Sequence, residues 1–218
     1  MDVTDFRERR NAMVEQQIAE RGIRSPRVLA AMRKVKREAF LPRHLRDHAY
    51  EDRALSIEEG QTISQPYIVA LMIDALDLEP GDRVLEIGTG SGYAAAVMAE
   101  LGAEVYTIER LEWLAELGAK RLARNGYERV HVRHGDGTLG WPEAAPFDAI
   151  SVAACGPVVP ASLEQQLELG GILVMPVGNT SGYQRLVRLT RRGPSDFDEE
   201  DLGRVRFVPL VGEEGARL

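Results

Sequence analysis

A chain of 218 residues with one cysteine, Cys155, cannot hold itself together by an internal disulfide, and that scarcity fits a reducing compartment. Basic residues are outnumbered: 27 Lys and Arg face 34 Asp and Glu, a net charge of -7, which argues against a protein that coats nucleic acid. No apolar run reaches membrane-spanning length, and the opening Met1-Asp-Val-Thr-Asp-Phe-Arg-Glu8 lacks the basic-then-apolar order of a signal peptide. The expectation is a cytoplasmic protein with no membrane or nucleic-acid partner, and a monomer is favoured. Internal repeats and low-complexity tracts are missing too. His44 and His48 stand four apart with Asp47 between them, but no further His or Cys cluster joins them, so they read as surface residues and no metal is expected. Neither a G-x-S-x-G elbow nor a Ser-His-Asp order supports a hydrolase. Cys155 lies among Ala153, Ala154 and Gly156 with no neighbouring charge to make it a thiolate, and reads as a small packed residue.

What is present centres on Arg83-Val-Leu-Glu-Ile-Gly-Thr-Gly-Ser-Gly-Tyr93: an apolar strand, three alternate glycines and an alanine-rich helix. Gly88, Gly90 and Gly92 permit positive φ and a close backbone approach, while the following helix start directs free N–H groups at the same space. The dinucleotide fingerprint is G-x-G-x-x-G, whereas this loop is G-x-G-x-G. Glu86, inside the strand, would repel a pyrophosphate but suits a cationic or zwitterionic ligand. S-adenosylmethionine, with its ammonium and sulfonium groups, fits this cradle better than a nicotinamide dinucleotide.

The order of elements predicts a doubly wound α/β domain. Helices are expected over 5–21, closed by Gly22, over 26–34 with Ser25 as cap, and over 65–76 with Pro66 in its first turn. Beyond Pro80-Gly-Asp82, strands at 83–87, 104–109, 129–134, 147–153 and 171–177 alternate with helices at 92–101, 112–125 and 161–168. Alternation of this kind makes a mostly parallel sheet covered on both faces. Two β-rich runs, 184–190 and 204–211, flank an exposed hairpin or loop at Arg191–Asp196.

Several residues stand where a ligand would be met. Glu109 ends the second strand of this series, 19 residues past Gly90, where a carboxylate can accept from both ribose hydroxyls. Asp136 lies in Gly135-Asp-Gly137 after the third, either as an ordinary turn or as a partner for an adenine amino group. Gln61-Thr-Ile-Ser-Gln-Pro-Tyr67 precedes the third helix, with Ser64 either its N-cap or a hydroxyl presented to an anionic acceptor. Arg33-Lys-Val-Lys-Arg37 reads as a solvated helix end or as a phosphate contact.

With these segments in this order, the chain resembles the protein-L-isoaspartate O-methyltransferase family of class I methyltransferases over nearly its full length. The most specific match is Gly60-Gln-Thr-Ile-Ser-Gln-Pro-Tyr67; Ala49–Leu55, the glycine loop, Gly135–Gly137, Pro146–Ile150, Gly170–Gly178 and Phe207–Gly212 support it. The resemblance implies a seven-stranded class I sheet over residues 81–218 and a helical extension with the acceptor loop over 1–80, together one structural domain. It implies methyl transfer from S-adenosylmethionine to the free α-carboxylate of L-isoaspartyl residues in damaged peptides and proteins. Carried over by position, Ser64 is the active-site serine. Thr62, Ile63, Glu86, Gly88, Gly90, Ser91, Glu109, Asp136, Gly137 and Gln184 match cofactor-site positions, with Gly92 completing the glycine cradle. A carboxylate acceptor is ionised at neutral pH, which explains why no strong general base is evident. Two stretches depart from the family pattern. Leu55-Ser-Ile-Glu-Glu59 stands where a proline and a glycine are common, which predicts a more acidic pocket rim and weaker binding of peptides with acidic flanks. In Ser151–Pro157, Ala153, Cys155 and Gly156 replace the usual residues. The competing readings are a class I methyltransferase for a small molecule or RNA, a nicotinamide-dependent oxidoreductase, and a non-catalytic module on the same fold.

Overall fold

The computed structural model describes residues 3–179 and 182–216; positions 1, 2, 180, 181, 217 and 218 lie outside the described residues. A seven-stranded sheet runs through the centre. Its strands are β3 (Arg83–Ile87), β4 (Glu104–Glu109), β5 (His131–His134), β6 (Phe147–Val152), β7 (Leu167–Gly178), β8 (Gln184–Arg191) and β9 (Phe197–Val205), in the order β5-β4-β3-β6-β7-β8-β9. The pairs from β5 to β7 are parallel, and β7, β8 and β9 form an antiparallel meander. Helices α4 (Tyr93–Glu100), α5 (Glu112–Arg124) and α6 (Ala161–Gln166) make the crossovers. Because β3 is the innermost of the parallel strands, Val84, Leu85, Glu86 and Ile87 are all buried, and the loop after β3 opens where the chain crosses to either side.

The N-terminal region is helical but less regular than its pattern predicts. Helix α1 (Val3–Ala12) widens into a π turn at Met13–Ile18 and tightens to 3-10 geometry at Ala19–Arg21 before Gly22 stops it at φ 104°. Helix α2 (Pro26–Lys34) is capped by Ser25, whose hydroxyl accepts from the Val28 N–H at 3.4 Å. A two-residue hairpin, β1 (Leu55–Ser56) with β2 (Thr62–Ile63), precedes α3 (Pro66–Ala75). One apolar cluster takes in Met13, Val14, Met32 and Phe40 from this region and Val84, Tyr93, Val97 and Leu114 from the sheet and its helices.

Three boundaries depart from the sequence pattern. Helix α6 ends at Gln166 and β7 begins at once, with an irregular register opposite Phe147 and Ala149. The last strand is 197–205, not 204–211. Phe197-Asp-Glu-Glu-Asp201 has poor strand propensity, but Arg185, Arg188 and Arg192 on or beside β8 pair with Glu199, Glu200 and Asp198 across the ladder. The apolar run 207–211 instead follows the loop after β6, where the Cys155 N–H donates to the Val208 carbonyl at 2.8 Å and the Leu210 N–H donates to the Cys155 carbonyl at 2.7 Å. Cys155 is buried, and burial raises its thiol pKa.

Candidate active site

A cleft of about 750 Å³ opens over the C-terminal ends of β3, β4 and β6. Its walls are the glycine loop, the Gln61–Gln65 loop with the start of α3, Ala153 and Ala154 after β6, and the segment Arg204–Val211.

Glu86 forms part of the floor. It is 1% exposed, and its carboxyl group accepts from the Thr107 hydroxyl at 2.6 Å, which is itself 2.7 Å from the Thr89 hydroxyl. Burial pushes the Glu86 pKa up to about 8, partly offset by the Thr107 hydrogen bond and reinforced by the Glu109 charge. A buried acid served by one hydroxyl is under-solvated as a carboxylate and is relieved by a cationic ligand group. Glu109 also lines the cleft: one oxygen accepts from the Gly90 N–H at 3.0 Å and the other from the Leu111 N–H at 3.1 Å. It therefore anchors the glycine loop as well as facing the cavity, and each oxygen keeps a lone pair for a ligand hydroxyl.

The glycines divide by role. Gly88 and Gly90 line the cleft, whereas Gly92 sits at the start of α4 with φ 88° and no room for a side chain: a Cβ there would lie 3.0 Å from Leu122 and 3.3 Å from the Gly118 carbonyl. It lets α4 and α5 pack, and does not line the cavity. Gly137 does line it, and a Cβ there would fall 2.4 Å from an Ile87 methyl. Ser91 lines it too, with its hydroxyl accepting from the Tyr93 N–H at 3.3 Å.

The Asp136 carboxylate makes three hydrogen bonds within the protein. One carboxylate oxygen accepts from the Thr138 N–H at 2.9 Å and the Thr138 hydroxyl at 2.7 Å, and the other from the Glu213 N–H at 2.7 Å. These bonds hold its pKa below the ordinary value despite burial, which works the other way. Asp136 ties down the C-terminal turn beside the cleft and is not among the residues lining it. Gln184 is likewise off the cavity wall. It is 2% exposed and brackets Phe207, accepting from its N–H at 2.6 Å and donating to its carbonyl at 3.2 Å. Phe207 is part of the wall.

Thr62, Ile63 and Ser64 all line the cleft. The N-cap of α3 is Gln65, with no side-chain cap bond, so Ser64 is not spent on capping and its hydroxyl has no protein partner among the described residues. The Ser64 carbonyl is gripped by Arg37, whose Nη2 donates to it at 2.8 Å while Nε donates to the Ala49 carbonyl at 2.8 Å. Arg37 is fully buried against the Tyr93 ring, 5.0 Å from its centroid, and burial lowers its pKa to about 10. Arg37 thus departs from both readings of the 33–37 run, a solvated helix end or a phosphate contact. Only the alternation of Lys36 and Arg37 after a helix end hints at it.

The expected acidic rim is also corrected. Glu58 turns away from the cleft and pairs with Arg121 of α5 at 2.7 and 3.3 Å, and neither Glu58 nor Glu59 lines the cavity. The lining cations are Arg110, Arg204 and Arg206, of which the two in the C-terminal segment had no prior motif. His44 and His48 are exposed, and no cluster of His, Cys, Asp and Glu able to hold a metal occurs among the described residues. No helix among the described residues is long and apolar enough to cross a membrane.

Comparison with known proteins agrees with this geometry. The chain is 60% identical over 214 residues to protein-L-isoaspartate O-methyltransferase 1 of Rhodopseudomonas palustris, an alignment covering 98% of this chain and 87% of that one. It is 58% identical to protein-L-isoaspartate O-methyltransferase 2 of Marinobacter nauticus, covering 98% of each. Among solved structures, a protein-L-isoaspartate O-methyltransferase superposes with TM-score 0.85 at 31% identity, covering 96% of this chain and 67% of that one. A putative one from Plasmodium falciparum, in complex with S-adenosyl-L-homocysteine, superposes with TM-score 0.80 at 26% identity, covering 93% and 98%. The family model for protein-L-isoaspartate(D-aspartate) O-methyltransferase matches residues 8–215, and with the glycine cradle, the two buried glutamates and the Gln61–Tyr67 loop converging on one cleft, the chain belongs to that family.

Proposed function

We propose that this protein transfers the methyl group of S-adenosylmethionine to the free α-carboxylate of L-isoaspartyl residues in damaged peptides and proteins, the step that starts their repair. The observation that carries this reading is the entry of the Gln61–Gln65 loop into the same cleft as the glycine cradle, with the Ser64 hydroxyl unpaired among the described residues. A methyltransferase for small molecules or RNA would need the cradle but not that loop.

When bound, S-adenosylmethionine supplies an electrophilic methyl group on a sulfonium centre. Glu86 is suited to its ammonium group, Glu109 to its ribose hydroxyls, and Gly88, Gly90, Ser91 and Gly137 form close walls around it; Thr62 and Ile63 belong to the same lining. Asp136, Gln184 and Gly92 act on the site through the turn, the Phe207 segment and the α4–α5 contact that they hold. The acceptor carboxylate is already ionised at neutral pH, so the residues have no proton to remove. Their work is to orient a weak nucleophile and exclude water, effects that reach about 7–11 kcal/mol in well-aligned reactions. Ser64 orients the carboxylate by hydrogen bonding, and Arg206 and Arg204 at the wall favour the approach of an anion. The reading carries with it a monomeric cytoplasmic enzyme in which residues 1–80 cover a core of 81–218.

The test uses two peptides that differ only in aspartyl or isoaspartyl linkage, with transfer of labelled methyl measured as ester. Label in the isoaspartyl peptide alone is expected; equal label in both, or none, overturns the reading.

A further inference from the structure

A second cavity, of about 780 Å³, lies between α1, the turns at 36–46 and α5, and shares no lining residue with the cleft. Six cations surround it: Arg7, Arg10, Lys36, Arg46, Arg121 and Arg124; Glu38 is the one acidic residue in its lining among the described residues. Two of the six are satisfied within the protein. Arg10 is bonded to the Arg33 carbonyl at 2.6 Å and lies 3.7 Å from Glu38, and Arg121 is paired with Glu58. Glu38 is engaged in turn, by Arg10 and by the Tyr50 hydroxyl. That leaves Arg7, Lys36, Arg46 and Arg124, whose side chains have no hydrogen bond or ion pair to any described residue, converging on one concavity of a chain with net charge -7. Elsewhere on this acidic surface most arginines have found a carboxylate, as Arg21, Arg27, Arg33, Arg133 and Arg192 have.

We propose that this cavity is a binding site for a small, multiply charged anion of the phosphate class. Guanidinium forks match phosphate oxygens in pairs, and a concave surface lined by one sign of charge concentrates the field where an anion would sit. Phe6, Leu41 and Leu117 supply an apolar wall that weakens solvent screening of those charges. The walls are braced, because Arg10 ties α1 to the end of α2 and Asn125 closes the end of α5 by donating to the Arg121 carbonyl at 2.8 Å. The site gives a role to Lys36, which is exposed where the adjacent Arg37 is buried. It rests on the electrostatics of this cavity and not on the methyl-transfer reading.

The experiment is calorimetric titration of the full chain, saturated with S-adenosylhomocysteine to occupy the catalytic cleft, with inorganic tripolyphosphate and separately with ATP. Binding of one anion per chain is expected. The doubly substituted Arg46→Gln, Arg124→Gln protein should bind on the order of a hundredfold more weakly, since each of the two lost charged contacts is worth about one tenfold step. A control with the same charge change at two exposed, unpaired arginines elsewhere, Arg24→Gln and Arg129→Gln, should bind as the unaltered protein does. Tighter binding of ATP than of tripolyphosphate would assign the apolar wall to a nucleoside, and equal binding would assign the site to the phosphate chain alone. Absence of binding by either anion, or equal weakening in the control, overturns the proposal; unchanged affinity for S-adenosylhomocysteine in both variants shows that they remain folded.

Discussion

The Arg37 guanidinium, fully buried beside Tyr93, donates to the Ser64 carbonyl at 2.8 Å and so fixes the backbone of a residue that lines the catalytic cleft. Its second bond, to the Ala49 carbonyl, ties that loop to the stretch before the small hairpin. Replacing Arg37 with Met would strand one buried carbonyl, of Ala49, and one partly buried carbonyl, of Ser64. A loss of about 2 kcal/mol is expected, seen as a fall of roughly 4–8 °C in Tm, together with a raised KM for an isoaspartyl peptide. Retained Tm with unchanged KM would mean that the loop holds its shape without the clamp.

Ser64→Ala removes a hydroxyl that bonds no other group among the described residues, so it should leave stability alone and act on turnover. A fall in kcat of about 10- to 100-fold is expected from loss of one orienting bond, with S-adenosylhomocysteine affinity preserved. An unchanged rate would remove Ser64 from the mechanism.

Glu58 and Arg121 couple the turn before the acceptor loop to α5 from positions where their side chains are 23% and 9% exposed. Reversing one charge alone, as in Arg121→Glu, should raise the peptide KM several-fold through repulsion across the contact. The exchange Glu58→Arg with Arg121→Glu should recover part of that loss. Failure of the exchange to recover anything would show that Arg121 acts elsewhere.

Glu86 predicts a pH signature for cofactor binding. Its carboxyl group, pushed up to about 8, holds its proton in the empty cleft below that pH, while an ammonium group favours the ionised form. Binding below pH 8 therefore releases a proton, and the Kd for S-adenosylhomocysteine should worsen toward tenfold per unit as pH falls from 8 to 6, then level off above 8. The unbound protein runs the other way: between the ordinary 4.5 and about 8 the folded state holds a proton that the unfolded state has lost, so stability declines as pH rises through that window. Fluorescence titration across pH 6–9 with Glu86→Gln as reference checks this, because the variant should lose the slope.

Gln184 brackets Phe207, a wall residue of the cleft, with two hydrogen bonds. In Gln184→Leu, hydrogen exchange at the Phe207 amide should quicken at least tenfold and S-adenosylhomocysteine affinity should drop. Weaker affinity with unaltered exchange would point instead to direct contact with the ligand.

The parts of this protein legible in its sequence are those decided by neighbouring residues. Gly88 and Gly90 in a strand-loop-helix setting identify the cradle, and Glu109 at the end of the next strand follows from the fixed geometry of that unit. Pro66 in the first turn of α3 sets where that helix begins, because its missing N–H is one that a helix start leaves unpaired. The strand at 197–205 was not legible, since Asp198, Glu199 and Glu200 are held there by ion pairs with Arg192, Arg185 and Arg188 on or beside β8. Nor were the long-range bonds of Asp136 and Gln184, whose partners include the Glu213 amide and Phe207.

By itself, then, the sequence determined the α/β alternation, the methyl donor's cradle and the family, because backbone freedom, helix starts and strand burial are local properties. Only the tertiary structure decided that Arg37 is buried and grips Ser64, that Glu58 is neutralised by Arg121, and that four unpaired cations share one cavity. A charge has no fixed meaning along the chain; desolvation and the opposite charge brought near by folding give it one.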